Sequence, residues 1–140
     1  MHLYRPGVLS ALGSGMEATV ERLLDPTPSS LTLSDQWVAG RTLPLGQITV
    51  PLRPFDASLP DEHRSRNNQL LWHAMAQVEP ALSAACRCFG PDRIGVVLGT
   101  STSGVDENLP AFRHIADGGP WQDSAFSQAH QLLCSPVDFV

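Results

Sequence analysis

The chain has 140 residues, of which 42% are hydrophobic and 16% charged, and its formal net charge is −5. This length and composition predict one domain, or part of one, with a hydrophobic core, and argue against a disordered chain. Because there is no Lys/Arg run, no apolar stretch near the roughly 20 residues of a membrane helix and no signal-peptide pattern in MHLYRPG, we expect a cytoplasmic protein that binds neither nucleic acid nor membrane.

The first predicted element is a short helix in the segment SGMEATVERLLDP. Ser14 and Glu17 have the spacing of a capping box, in which each side chain caps a backbone N–H of the other residue. Asp25 and Pro26 end the pattern. We therefore expect about two helical turns with Ser14 as the N-cap. The apolar face of this helix consists of Met16, Val20, Leu23 and Leu24.

Residues 26–60 are rich in Pro, Gly, Ser and Leu and lack helical spacing. Only GQITVPL, residues 46–52, has the β-branched content of a strand. Pro51 restricts this strand to the edge of a sheet, because proline cannot donate a ladder hydrogen bond. We predict a loop-rich connection with one short edge strand.

The longest predicted helix lies in RNNQLLWHAMAQVEPALSAACRCFG, residues 66–90, and stops at Gly90 and Pro91. Pro80 removes one backbone hydrogen bond and crowds the preceding turn, so we expect either a kink near Gln77 or two abutting helices. The predicted core face consists of Leu71, Met75, Val78, Leu82, Ala85 and Phe89.

After this helix, the segment RIGVVL at residues 93–98 is short, β-branched and apolar on both faces. That pattern is typical of a central strand covered from both sides, and a helix, a tight turn and a buried strand together predict an α/β architecture.

A last helix is predicted to begin at Ser135 and Pro136, which are favoured at the N-cap and in the first turn. The sequence given ends within one turn. We therefore expect Val137, Phe139 and Val140 to lack a partner, and the chain to be truncated at its C-terminal end.

Two glycine motifs in the sequence share part of the pattern of nucleotide-binding loops. Gly99 and Gly104 have P-loop spacing, but Val105 and Asp106 occupy the positions of the phosphate-binding Lys and the Ser/Thr, which disfavours a triphosphate site. The segment GSGMEA, with Asp35 at the spacing of a ribose-binding acid, leaves a dinucleotide-binding domain as an alternative, although the flanking βαβ pattern is missing.

No catalytic or metal-ligating set is predicted. Three cysteines without a secretory signal indicate reduced thiols, and Cys86 and Cys88 point in different directions on a helix. The acidic pairs at residues 61–62 and 106–107 are predicted to be solvated loops. The histidines without ligand spacing are His63, His73, His114 and His130. The tryptophans predicted to bury apolar area are Trp37, Trp72 and Trp121.

Several segments together resemble the N-terminal part of β-ketoacyl-acyl carrier protein synthases. GVLSALGSGMEATVERLL, residues 7–24, is similar to the opening loop and first helix of that family. RNNQLLWHAMAQVEPAL, followed by DRIGVVLGTSTSG, is similar to its next long helix, central strand and small-residue loop. The resemblance implies an α/β fold in which residues 1–140 form an N-terminal synthase domain, with the first half of the thiolase-like layered fold incomplete.

The resemblance also implies a function, the decarboxylative condensation of an acyl thioester with a malonyl unit on acyl carrier protein, without cofactor or metal. The catalytic cysteine and histidines of the family are expected beyond Val140, so the chain alone is expected to be inactive. A non-catalytic, chain-length-factor-like subunit is the alternative, and a homodimer or heterodimer is expected.

Two sets of site residues follow from the resemblance. Arg64 and Arg66 are the expected docking residues for an acidic acyl carrier protein. The small-residue loop is expected to border the acyl pocket near the dimer interface, through Gly99, Thr100, Ser101, Thr102, Ser103 and Gly104.

Overall fold

The computed structural model of this chain describes residues 4–27 and 31–140. Two compact units are found. Unit 1 comprises Met1–Leu52 and His73–Cys88, and unit 2 comprises Arg53–Trp72 and Phe89–Val140. No helix in the described part of the chain combines the length and the apolarity needed to cross a membrane.

Unit 1 opens with a tight hairpin of β1 (Leu9–Ser10) and β2 (Gly13–Ser14), followed by helix α1 (Met16–Leu24). Gly13 and Gly15 have φ values of 134° and 93°, which favour glycine, and they carry the chain from the hairpin into the helix. The second hairpin pairs β3 (Leu31–Ser34) antiparallel with β4 (Leu43–Gly46).

The capping box predicted for α1 is wrong. Gly15 rather than Ser14 is the N-cap, and no side chain caps the helix. Ser14 lies in β2 and contacts His73 and Gln77, while Glu17 pairs with Arg5. Ser14 and Glu17 thus bind residues that are distant in the sequence instead of capping the start of α1.

The edge strand predicted at residues 46–52 is also wrong. The pairing runs from Leu31 opposite Gly46 to Ser34 opposite Leu43, so the strand lies before the β-branched residues rather than on them. The ladder forms where a partner strand is present, and β-branched content alone does not reveal the partner.

The alternative of two abutting helices is confirmed for residues 66–90. Helix α2 covers Arg66–Met75 and helix α3 covers Glu79–Phe89. Pro80 is the second residue of α3, where a missing N–H breaks no helical hydrogen bond. The predicted stop is also confirmed, because Gly90 follows α3 with a φ of 87°.

Unit 2 contains α4 (Leu109–Ala116), which the sequence did not predict, and the five-residue helix α5 (Ser135–Phe139). The onset of α5 was predicted one residue late, because Cys134 rather than Ser135 is the N-cap. Phe139 was expected to lack a partner, but its ring lies 5.7 Å from that of Phe55 and 5.9 Å from that of Trp72. Val137 and Val140 are exposed.

Single 3-10 turns cover Asp61–His63, Pro91–Arg93, Val105–Asn108, Trp121–Asp123 and Ala129–Gln131.

The central strand predicted at residues 93–98 is not formed. The strands of the described residues pair only within the two hairpins, so RIGVVL has no neighbour, and Val97 is 96% exposed. The predicted burial of Trp37 and Trp121 is wrong as well, since they are 65% and 54% exposed. Among described residues, Ala111 and Pro136 are the buried residues with an apolar side chain. The apolar pattern is present, but most of its side chains are not buried within the described structure.

Candidate functional site

The small-residue loop predicted as a pocket wall lies in unit 2 and changes character along its length. Residues 99–102 are exposed, whereas Ser103 and Gly104 are buried. The Thr100 hydroxyl donates to the carbonyl of Thr102, and Ser103 Oγ donates to the carbonyl of His130 at 2.6 Å. Side-chain hydroxyls thus hold the second half of the loop in a defined conformation.

Gly104 is required by space rather than by its dihedral angles, because its φ is −76°. A Cβ at this position would lie 2.7 Å from Ser65 Cβ, 3.1 Å from Glu107 Oε2 and 3.3 Å from His130 Cδ2. The loop backbone therefore approaches Ser65, the residue before α2, more closely than a residue with a Cβ at position 104 would allow.

Two acceptors cap the start of α2. Ser65 Oγ accepts from the backbone N–H of Asn68 at 3.1 Å, which makes Ser65 the N-cap. Glu107 Oε1 accepts from the backbone N–H of Arg66 at 2.6 Å. Glu107 was predicted to be solvated, but it is half-buried and holds α2 to the loop. No local pattern signals this contact; the Ser65 cap could have been found from its place before the helix.

These residues surround a cavity of about 220 Å³. It brings together Thr102, Ser103 and Arg66 from the predicted site residues. Gly99, Thr100, Ser101, Gly104 and Arg64 do not line it. The remaining lining residues are Asn67, Leu70, Asp106 and Glu107.

The two arginines of the predicted docking site have different surroundings. The Arg64 guanidinium donates to the carbonyls of Leu59, Asp56 and Ala57, each at 2.9 Å. The Arg66 guanidinium makes no hydrogen bond within the described residues and is exposed beside the cavity. Arg64 thus fastens the preceding loop, while Arg66 presents its charge to solvent.

The loop fastened by Arg64 is organised around a carboxylate. Asp56 accepts hydrogen bonds from Ser58 Oγ at 2.6 Å and from the Ser58 N–H at 2.8 Å. These bonds, with a smaller contribution from the Arg64 charge, hold the pKa of Asp56 below its ordinary value. The carboxylate thus keeps the turn closed through its two hydrogen bonds with Ser58.

Two buried asparagines complete unit 2 and were not singled out in the sequence. Asn108 Nδ2 donates to the Ser127 carbonyl and its Oδ1 accepts from the Ser127 N–H, both at 2.8 Å. Asn68 Nδ2 donates to the His63 carbonyl at 3.0 Å. The Asn108 amide thus pairs with both backbone groups of Ser127, as a neighbouring strand would, whereas Asn68 is held through its amino group alone.

A second polar cluster lies in unit 1. Ser14 Oγ is 3.0 Å from His73 Nε2 and accepts from Gln77 Nε2 at 3.2 Å. Gln77 also pairs with both the N–H and the carbonyl of Val8, each at 2.9 Å. The amide of Gln77 thus secures the first hairpin, and Ser14 and His73 complete its hydrogen bonds.

Gly13 and Ser14 of the GSGMEA motif form the second strand of a hairpin, which is not the parallel strand that a dinucleotide fold places before its helix. Cys86, Cys88 and Cys134 are free thiols. Within residues 4–27 and 31–140, no three His, Cys, Asp or Glu side chains are grouped as a metal site requires.

A comparison with solved structures finds a similar chain in the complex of the ketosynthase ApeO with its chain length factor ApeC from Xenorhabdus doucetiae. The TM-score is 0.77 and the sequence identity is 30%, over 95% of this chain and 34% of the matched chain. No protein-family model and no curated protein matches. This chain therefore has the ketosynthase-like, thiolase-like α/β fold, and it spans about a third of the matched chain's length.

Proposed function

We propose that this chain is the N-terminal portion of a β-ketoacyl-acyl carrier protein synthase. One observation carries the proposal, the likeness of almost the whole chain to part of a ketosynthase complex, in both structure and sequence. The reaction would form a carbon–carbon bond between an acyl thioester and a malonyl unit on a carrier protein, with loss of CO₂. The nucleophile and its histidines would be supplied by polypeptide outside residues 1–140.

The geometry of unit 2 supports a role for the small-residue loop beside the acyl thioester. Thr102 and Ser103 reach the cavity, while Gly104 lets the backbone pass against Ser65. Residues 99–101 remain exposed and would contact the acyl chain or a second subunit. Arg66, at the rim of the same cavity, is the proposed contact for the acidic carrier protein, and Arg64 holds the loop that precedes it.

The second candidate function is that of a non-catalytic, chain-length-factor-like subunit. It is favoured by a specific observation, since the matched complex contains a chain length factor beside the ketosynthase. In this case the same loop would shape the pocket of a catalytic partner in a heterodimer.

Two chimeras separate these functions. In the first, residues 1–140 replace the corresponding third of ApeO, and in the second they replace the corresponding third of ApeC. Each is co-expressed with its natural partner and assayed for CO₂ release from malonyl carrier protein and for the length of the product.

A catalytic origin predicts that the ApeO chimera retains condensation, whereas a chain-length-factor origin predicts that only the ApeC chimera assembles and supports it. If both chimeras fail to assemble while the parents do so, the proposed function is wrong. The 140-residue chain by itself is expected to release no CO₂, because a nucleophile with its base within hydrogen-bond reach is required.

A further inference from the structure

Four buried polar atoms of unit 2 have no hydrogen-bond partner among the described residues. They are His63 Nδ1, Asn68 Oδ1, His130 Nε2 and Gln131 Nε2. Buried polar side-chain atoms of native proteins are nearly always paired with protein or with ordered water, because an unpaired atom loses its hydration without compensation. Each of these atoms therefore requires a partner.

The unpaired atoms belong to elements that pack together. The turn Asp61–His63 contacts the turn Ala129–Gln131, and α5 packs against both turns. Asn68 Nδ2 donates to the His63 carbonyl at 3.0 Å, so the Oδ1 atom of the same amide lies beside His63. The ring centres of His63 and Phe139 in α5 are 6.2 Å apart. We refer to residues 63, 68, 130 and 131 as the polar junction.

The partner of the polar junction has to be a small molecule or ion. All of its unpaired atoms are shielded from solvent within unit 2 itself. Asn68 as a whole is only 2% exposed. Polypeptide outside residues 1–140 could cover exposed surface, but it would have no path to atoms that the described residues already enclose.

Donors and acceptors in the polar junction select the kind of partner. Asn68 Oδ1 can only accept, and its orientation follows from the bond that Nδ2 of the same amide donates to His63. Gln131 Nε2 can only donate. A cation would leave this donor unpaired, and an anion would leave Asn68 Oδ1 unpaired. Water both donates and accepts, and a neutral imidazole can serve it in either tautomer.

We infer that the polar junction is a binding site for internal water, in which one water molecule bridges Asn68 Oδ1 and His63 Nδ1. The hydration extends to His130 Nε2 and Gln131 Nε2 in the contacting turn. A buried water of this kind typically makes about three hydrogen bonds, and it forms part of the structure. Because all the atoms and contacts involved lie in unit 2, the water site is independent of the proposed function.

The water site lies behind the small-residue loop. Ser103 Oγ donates to the His130 carbonyl at 2.6 Å. A Cβ at Gly104 would lie 3.3 Å from His130 Cδ2, so the loop backbone rests against this imidazole. Water bound to His130 Nε2 thus helps to fix the turn that supports the second half of the loop.

Nuclear Overhauser effects between water and the isotope-labelled chain test this site. The Cε1–H group of His63 adjoins Nδ1, and that of His130 adjoins Nε2. Both should show effects with the sign of a long-lived complex, because a water molecule held by several hydrogen bonds stays bound longer than surface water. The ring of His114, whose Nε2 is 3.2 Å from the Pro120 carbonyl in an exposed position, is the internal reference and should show only surface-water behaviour.

Two variants remove opposite ends of the polar junction. Asn68→Leu removes the acceptor at similar volume and should abolish the water effect at His63. Gln131→Met removes the donor at similar length and should at least halve the effect at His130, and it keeps the test decisive where Asn68→Leu fails to fold. Gln128→Met makes the same change at an exposed position and should alter neither effect.

Water effects that are present in the wild type and in Gln128→Met, and reduced as described in the other variants, support the site. A folded wild-type chain without them overturns the inference, as do effects that survive Gln131→Met unchanged. Ring signals of His63 and His130 that shift with ammonium or potassium chloride, but not with sodium chloride, overturn it in favour of a bound cation. None of these outcomes depends on condensation by the chimeras.

Discussion

Glu107 Oε1 accepts a hydrogen bond from the backbone N–H of Arg66 at 2.6 Å, although 41 positions separate the two residues in the chain. The contact joins the turn that follows the small-residue loop to the first residue of α2. It thereby fixes the loop relative to the exposed guanidinium beside the same cavity. The two parts of the proposed site, pocket wall and docking residue, are positioned by one carboxylate.

Replacing Glu107 by alanine should lower the free energy of unfolding by about 1–2 kcal/mol, because the first N–H of α2 loses a charged acceptor. Glu107→Gln should cost less, since the amide oxygen can still accept. The measurement is urea denaturation followed by circular dichroism. Asp106→Ala is the matched control, as Asp106 is exposed, and equal losses for Asp106→Ala and Glu107→Ala would contradict the role of the contact.

Gly104→Ala should destabilise the chain by about 1–3 kcal/mol, because the added methyl group would lie 2.7 Å from Ser65 Cβ. Gly99→Ala changes the same loop where no atom lies within 4 Å, and it should shift stability by less than about 0.5 kcal/mol. Thermal unfolding of both variants checks this difference. Ser65→Gly added to Gly104→Ala should recover part of the loss, and no recovery would show that the strain lies elsewhere.

The parts of the fold that follow from local signals were predictable. Pro80 predicted either a kink near Gln77 or two abutting helices, of which the second is formed, and Gly90 predicted where α3 ends. The apolar spacing in residues 16–24 predicted α1. Each of these signals acts within one or two helical turns, where backbone sterics decide the outcome.

The parts that depend on distant partners were not predictable. Ser14 has the sequence of a cap but binds His73 and Gln77, and Glu107 looks like a solvated loop residue but caps α2. RIGVVL has the composition of a central strand, yet pairing requires neighbours that the described residues do not provide. Composition indicates which secondary structure a segment favours, and the presence of pairing partners determines whether that structure forms.

The side chain at residue 102 should influence acyl chain length in the ApeO chimera. Thr102→Ile adds volume at the cavity and removes a hydroxyl, so the ratio of kcat/KM for long over short acyl donors should fall about tenfold. Thr49→Ile, an exposed change in unit 1, is the matched control. Competition assays with mixed donors give the ratio, and an unchanged ratio would reduce the loop to a structural turn.

Charge reversal at the two arginines near the start of α2 should have different effects, on carrier docking in one case and on loop stability in the other. Arg66→Glu should leave the unfolding midpoint of the ApeO chimera unchanged but slow its association with an acidic acyl carrier protein roughly tenfold at low salt, because rim charges act mainly on encounter rates. Arg64→Glu should instead lower stability by about 1–3 kcal/mol, since three carbonyls lose their donor. Arg87→Glu makes the same charge change on α3 and controls for net charge. The measurement is stopped-flow association at several salt concentrations. At high salt, Arg66→Glu and wild type should associate at the same rate, and at low salt Arg66→Glu should be slower. Equal rates for Arg66→Glu and Arg87→Glu at low salt would exclude Arg66 from docking.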